Sequence, residues 1–161
     1  MKNEIGPQYP RDKTIDKTGF LENARLHQSK YRANILKVPF DKYGNYLTKE
    51  DAKRGLNFYN DFEIFKEVKK RYPKYSKSIY ANMLRSEHIS FNLFVPLMKD
   101  KVFGKNLLNK YLDNSIKKID KIIIEYAPTP ASKYLDDKTS FDTYVEYTHM
   151  DNHKGILGIE V

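Results

Sequence analysis

The sequence predicts an α/β fold, with helices through most of the chain and a sheet at the C-terminal end. Residues 121–128 contain a run of isoleucines suited to burial on both faces, and residues 139–147 are rich in β-branched and aromatic side chains. A third apolar segment follows a polar turn at residues 155–161. We therefore expect a mixed sheet from about residue 119 onward, in one compact domain with a mainly helical N-terminal region (1–75) and a core (76–161).

The composition is that of a globular domain of modest size. The chain has 161 residues, of which 40% are hydrophobic and 31% are charged. It contains no cysteine, which excludes disulfides, thiolate zinc sites and a cysteine nucleophile. No apolar run approaches the length of roughly 20 residues that spans a bilayer, and the N-terminus lacks a signal-peptide core. We expect a soluble, cytoplasmic protein.

The balance of charge favours a polyanionic partner. Lys and Arg number 29 against 21 Asp and Glu, a net charge of +8. A basic surface attracts nucleic acid through counterion release, although a genome-wide preference for lysine gives the same excess.

The first half of the chain predicts short helices after an irregular lead-in of about 20 residues. A loosely helical pattern covers residues 20–36, with Arg25, Lys30 and Arg32 at polar positions. These bases can reach a phosphate backbone, but a solvated helix face is the simpler interpretation. Thr48 and Asp51 resemble a capping box that opens a helix ending at Gly55. The next helix begins near residue 60 and stops before Pro73.

A longer helix is predicted from about residue 78 to residue 94. Glu87 falls on its apolar stripe, where a carboxylate is costly unless it is paired or serves an ion. Glu87 is therefore a candidate site residue, and the alternative is an ion pair with a surface lysine or arginine. His88 lies beside the stripe, where it acts as a general base or, as we favour, as a hydrogen-bonded boundary residue. Pro96 is expected to end or kink this helix.

Two carboxylates interrupt the apolar pattern of the last two strands. Asp142 is near the start of the second strand and Glu160 is at the end of the third. The turn residues Asp151 and Asn152 favour a loop of about three or five residues, and any odd loop places Asp142 and Glu160 on one face. Oxygen ligands that converge in this way suit Mg²⁺, which can orient a phosphodiester and activate water. Glu125 on the first strand is interpreted as a salt-bridge partner, with a supporting role at the metal as the alternative.

Two further groups of polar residues occur around these strands. His149 and His153 flank the turn with Asp151, but we favour exposed turn residues over a transition-metal site. Asp136 with Thr139 indicates turn and capping chemistry.

The order of several short motifs resembles the PD-(D/E)XK nuclease superfamily, in a bacterial branch of restriction-endonuclease-like proteins. These motifs are Glu-Tyr-x-Pro (125–128), Tyr-Leu-x-Asp-x-Thr-Ser-Phe-Asp (134–142) and Gly-Ile-Glu-Val (158–161), preceded by residues 25–32 and 85–97. The resemblance implies an α/β/α core and hydrolysis of DNA. It implies that Asp142, Glu160 and the backbone carbonyl of Val161 hold Mg²⁺ or Mn²⁺, and that Glu87 is the acid of the first core helix.

The sequence departs from the superfamily at the third motif. The superfamily has an acidic residue, any residue and then a lysine, whereas here nothing follows Glu160 and Val161. We expect a fragment or a natural truncation that is inactive alone, since this lysine stabilises charge on the phosphate. Lys154 or Lys138 is a conceivable substitute.

Three hypotheses follow for the function. The first is a metal-dependent deoxyribonuclease, and the second is a module of the same fold that binds nucleic acid without catalysis. The third is a partner-dependent fragment whose sheet is completed by a second chain or by a homodimer, because an unpaired sheet edge invites strand addition. Separately, loss of the helix and strand that follow the third motif in the superfamily removes buried apolar area, so we expect marginal stability, which a cooperative melt above roughly 50 °C would contradict.

Overall fold

The computed structural model of the chain describes residues 4–133 and 139–161. They form two compact units. The first contains the described residues up to Asn60 together with Val68–His88, and the second contains Asp61–Glu67 together with Ile89–Val161. The expected division near residue 75 stays a prediction.

The helices precede the strands along the described chain, as expected. They are α1 (Phe20–Tyr31), α2 (Lys49–Lys53), α3 (Ile64–Arg71), α4 (Lys77–Ala81), α5 (Glu87–Lys99) and α6 (Lys101–Leu108). A π-helical turn, Arg32–Leu36, continues α1, and a 3₁₀ turn covers Ala131–Lys133. The strands are β1 (Ile116–Tyr126), β2 (Phe141–His149) and β3 (Lys154–Ile159). None of the described helices is both long and apolar enough to cross a membrane.

Arg32 is not on a solvated helix face. It is only 1% exposed, and its guanidinium donates to the carbonyl oxygens of Glu4, Ile5, Val38 and Gly44. The tertiary structure overrides the local pattern because four backbone acceptors converge where the chain passes α1. Arg32 is therefore a structural residue of the first unit, and its expected place on a solvated, phosphate-accessible face was wrong.

The capping box at α2 is confirmed. The Thr48 side chain accepts a hydrogen bond from the Asp51 N–H at 3.2 Å and donates to the Asp51 carboxylate at 2.9 Å. Gly55, which follows the helix, has a φ of 81°, a conformation that costs glycine little. Local sequence was sufficient here because the interactions span three residues.

The single helix expected over residues 78–94 is wrong, because the chain leaves helical geometry between α4 and α5. Asn82 is extended, with ψ of 113°, and forms a β-bridge with Tyr46. Its side-chain oxygen accepts from the Leu84 N–H at 3.1 Å, which is the local competition by which asparagine interrupts helices. Pro96 lies within α5 and the helix continues to Lys99, so it does not end the helix at that point.

The described strands form a sheet in the order β1-β2-β3, and each neighbouring pair is antiparallel. The α/β class with a helical N-terminal region is therefore confirmed, while the parallel pairing that a mixed sheet requires is not among the described strands. Register shifts between Ile116 and Lys118 and between Ile119 and Lys121 interrupt β1. These irregularities keep Ile116, Ile119 and Ile122 all buried although they are spaced by three.

Helix α6 packs on β1 within the second unit. Its first turn is capped by Asp100, whose carboxylate accepts from the N–H groups of Val102 and Phe103. A Cβ at Gly104 would lie 3.2 Å from the Ile119 side chain, so the glycine permits the close approach of helix and strand. This contact holds β1, the strand with which β2 pairs, against α6.

Candidate functional site

The register of the β2–β3 hairpin places Asp142 and Glu160 at opposite positions. The β2–β3 ladder runs from Thr148 paired with Lys154 to Thr143 paired with Ile159, so the five residues 149–153 form the hairpin loop. His149 is also the last residue of β2, because it pairs with Ile116 of β1. The predicted odd loop is confirmed. Continuing the ladder by one residue puts Asp142 across from Glu160, and directly opposite residues of an antiparallel pair are close neighbours.

A direct contact joins Asp142 to the end of the third strand. The backbone N–H of Val161 donates to Asp142 Oδ2 at 2.8 Å, so this carboxylate lies beside the Glu160–Val161 peptide. Asp142 is half-buried, while Glu160 and Val161 are exposed. The hydrogen bond holds one oxygen of Asp142 in place and leaves the other for a ligand.

A third acidic residue, Glu125 on the first strand, lines up across the sheet with Asp142 and Glu160. Ile124 pairs with Thr143 and Tyr126 pairs with Phe141, so Glu125 occupies the position opposite Asp142. Its φ is 55°, in the left-handed region that a glutamate in a strand rarely adopts, and one of its carboxylate oxygens is buried. Sequence reasoning favoured a salt bridge for Glu125, because the β1–β2 register is not encoded by a short turn and its position relative to Asp142 was undetermined.

Glu87 is held by an ion pair in the first unit. Arg85 Nε donates to Glu87 Oε2 at 3.0 Å, and Arg85 Nη2 contacts the other carboxylate oxygen. Burial is the largest single influence and works to raise the pKa of Glu87, but the hydrogen bond and positive charge of Arg85, together with a backbone hydrogen bond, outweigh it and the net pKa is lowered. Glu87 therefore has the arginine partner that was its expected alternative, and it belongs to a different unit from Asp142 and Glu160.

His88 has a structural environment. It is 6% exposed, its Nε2 lies 2.7 Å from the carbonyl oxygen of Ile79, and its ring packs edge-on against Phe58 at 4.7 Å. Since a carbonyl only accepts, Nε2 carries the proton and donates. Burial lowers the pKa of His88, so the ring is neutral near pH 7. The favoured interpretation as a hydrogen-bonded boundary residue is confirmed.

Lys154 lies at the far end of the hairpin from the two carboxylates. Its Nζ binds Asp120 Oδ2 and Thr148 Oγ1, both at 2.9 Å. Hydrogen bonds from Lys154 and Thr148 lower the pKa of Asp120 to about 2. Thr148 is six positions from Asp142, which corresponds to roughly 20 Å along a strand. Lys154 therefore does not substitute for the absent motif lysine, while Lys138 and Asp136 lie outside the described residues.

The five-residue loop brings His149, Asp151 and His153 together. One possible ligand atom from each of the three lies within 4.8 Å of the other two. The expected turn residues Asp151 and His153 are exposed, and His149 is half-buried. Their convergence could not be predicted, because spacing alone does not give the direction of ring nitrogens at a turn.

Comparison with known proteins agrees with the motif order. A family model described as the PD-(D/E)XK nuclease superfamily matches residues 12–161, which is most of the chain. Neither the search of curated proteins nor the search of solved structures finds a match. The matched region includes both Asp142 and Glu160, which the hairpin register places opposite each other. The chain belongs to the PD-(D/E)XK nuclease superfamily.

Proposed function

We propose that this chain is the core of a metal-dependent DNA endonuclease in which Asp142 and Glu160 bind Mg²⁺ or Mn²⁺. The hairpin register is the observation that carries the proposal, because its continuation by one residue puts these two acids at opposite positions, near the start of β2 and just after the end of β3. Membership of a nuclease superfamily supports the reaction class. Exposure of Glu160 supports access by a macromolecular substrate.

Each residue has a distinct role in this proposal. A bound divalent ion supplies Lewis-acid polarisation of the scissile phosphate and lowers the pKa of an attacking water. Asp142 and Glu160 contribute carboxylate oxygens, and the carbonyl of Val161 contributes a third, a donor set that hard cations prefer. The Val161 N–H orients Asp142 from the side, so the carboxylate is positioned before the ion binds.

We propose Glu125 as an additional acidic residue of the metal site, beside Asp142 and Glu160. Its register position opposite Asp142 supports this role, as does its left-handed backbone, because such conformations cost free energy and are concentrated at functional sites. Glu87 stays the acid implied by the superfamily resemblance. Variants distinguish the roles of Glu125 and Glu87. Loss of the Glu125 carboxylate should weaken metal binding, whereas loss of the Glu87 carboxylate should first leave Arg85 without its ion-pair partner.

The net charge of +8 supports DNA as the partner and a salt-dependent affinity. Cytoplasmic location is part of the same proposal, since that compartment gives access to DNA.

A second candidate function is a non-catalytic DNA-binding module, which the net charge of +8 favours. A related possibility concerns the edge of the sheet. Strand β3 is at the edge of the described sheet and its Ile156 is 69% exposed, which favours addition of a strand from a second copy or another chain.

Plasmid cleavage with Mg²⁺ or Mn²⁺ tests the proposal. The assay compares the unaltered chain and the same chain with one lysine appended after Val161, each alone and as the Asp142→Ala and Glu160→Ala variants. Glu146→Ala is the matched control, because it removes a carboxylate from the same strand at a position paired with Lys121 and Ile156.

The nuclease proposal requires metal-dependent cutting that the appended lysine increases, that either alanine variant abolishes and that Glu146→Ala retains. Absence of cutting in every form, together with salt-dependent DNA binding by all of them, supports the binding module instead. Sedimentation analysis of the same samples tests whether a strand from a second copy adds to β3. A monomer at all concentrations contradicts this addition between copies.

A further inference from the structure

We propose that the loop between β2 and β3 is a second metal site, specific for a borderline transition-metal ion such as Zn²⁺ and separate from the proposed Mg²⁺ site. Its ligands are His149, Asp151 and His153. These residues contain two of the four histidines in the chain.

The three side chains already converge on one point. Asp151 Oδ1 lies 2.8 Å from His149 Nδ1 and 2.5 Å from His153 Nδ1, and the two rings stack at 4.6 Å with planes 10° apart. Tetrahedral zinc with bonds of roughly 2.0–2.2 Å places its ligand atoms roughly 3.4 Å apart. Donor atoms that all lie within 4.8 Å of one another reach this arrangement through small side-chain movements.

The loop backbone holds these side chains in place. The His149 N–H donates to the His153 carbonyl at 2.9 Å, and the Asn152 N–H donates to the His149 carbonyl at 3.0 Å. The His153 N–H also lies 3.3 Å from Asp151 Oδ1, while the Asp151 N–H reaches His149 Nδ1 only at 3.4 Å. The last contact is long, so an ion can replace it at little cost. Binding therefore needs little ordering of the chain, which favours affinity.

The donor set selects against Mg²⁺. Two imidazole nitrogens and one carboxylate suit Zn²⁺, Cu²⁺ or Ni²⁺, whereas Mg²⁺ prefers oxygen ligands and retains its water. Lys117 adds a positive charge nearby, because its Nζ donates to Asn152 Oδ1 at 2.7 Å. An ion at this loop must therefore be held by strong nitrogen donation and not by net negative charge.

The position of the loop gives the ion a structural role. His149 is the last residue of β2, and His153 immediately precedes β3, so an ion bound by both closes the hairpin. A slip of one residue would move Asp142 and Glu160 away from opposite positions and onto different faces. An ion bound at the loop therefore stabilises the hairpin register that keeps Asp142 opposite Glu160.

Isothermal titration of tag-free protein with Zn²⁺ tests this site. We expect one ion per chain and no saturation by Mg²⁺ at the loop. His149→Ala and His153→Ala should each weaken Zn²⁺ binding by about tenfold or more, because even residues that only support a ligand change metal affinity by roughly 10–100-fold. His27→Ala is the matched control, since His27 is an exposed histidine of the first unit.

The double variant Asp142→Ala/Glu160→Ala separates the two metal sites, and it should retain full Zn²⁺ affinity. Histidine side-chain NMR of the unaltered protein gives an independent readout that requires no variant. Zn²⁺ should shift the imidazole signals of His149 and His153 and leave those of His27 and His88 in place. Zn²⁺ should also raise the melting temperature by several degrees, and a chelator should reverse the shift.

Three results would overturn the inference. They are absence of saturable Zn²⁺ binding, binding unchanged by His149→Ala and His153→Ala, and binding lost in the carboxylate double variant alone. The last result would place the ion at Asp142 and Glu160.

Discussion

Replacement of Arg32 should destabilise the first unit strongly, although Arg32 is a charged residue next to a helix. Arg32 is 1% exposed and its guanidinium donates to four carbonyl groups, with Nε 2.7 Å from the Gly44 oxygen and Nη2 2.6 Å from the Glu4 oxygen. These contacts join the lead-in, the end of α1 and the turn at residues 37–46. Arg32→Met keeps much of the side-chain volume and removes all of the donors.

The magnitude follows from the number of bonds lost. Hydrogen bonds to a charged group contribute about 1.5–3 kcal/mol each, but the four share one side chain and are not additive. A buried carbonyl group left without its donor costs about 1–3 kcal/mol, and for the four together we expect about 3–5 kcal/mol. For a chain of this length that corresponds to a fall of about 6–20 °C in melting temperature.

Thermal and urea denaturation followed by circular dichroism measure this effect. Lys30→Met is the matched control, because Lys30 is exposed two positions earlier on the same helix, and it should change the free energy of unfolding by less than about 0.5 kcal/mol. Hydrogen exchange should also accelerate at residues 37–46 in Arg32→Met. A loss of stability equal to that of the control would refute the assignment of Arg32 as the structural centre of this unit.

Three other predictions concern pH and capping. The pKa of Asp120 is about 2, below its unfolded value, so its stabilising effect is present above roughly pH 4 and is lost as the pH falls towards 2. Asp120→Asn should therefore make the melting temperature fall less between pH 4 and pH 2. An unchanged fall in the melting temperature over this range would contradict the contact between Asp120 and Lys154. The lowered pKa of His88 makes the folded state lose stability as the pH falls below about 6.5, so urea midpoints at pH 7 and pH 5 should differ less in His88→Gln. Thr48→Ala should cost about 1 kcal/mol through loss of the cap on α2, whereas Ser76→Ala should cost less because no side-chain cap bond is present at α4.

Local chemistry accounts for the features that the sequence predicted correctly. The Thr48 cap, the glycine after α2 and the five-residue hairpin loop all depend on residues within a few positions of one another. The isoleucine and aromatic runs predicted the strands because such side chains fit a half-buried pleated surface. The same locality explains why the parity of the hairpin was enough to place Asp142 opposite Glu160.

The errors arose where distant backbone decides the conformation. Asn82 leaves the helix because it pairs with Tyr46, and Arg32 is buried because carbonyl groups from three separate segments meet it. The opposition of Glu125 to Asp142 depends on the register between β1 and β2, which no short turn encodes.

By itself, the sequence determined the α/β class, the nuclease superfamily and the hairpin register that puts Asp142 opposite Glu160. These features depend on side-chain type, on motif order and on a register set by one short turn. The tertiary structure alone decided that Arg32 is buried and donates to four carbonyl groups, that Glu87 pairs with Arg85 and that the loop histidines meet around Asp151. The physical reason is that the direction of a side chain, and the groups that satisfy a buried charge, depend on the three-dimensional path of the backbone.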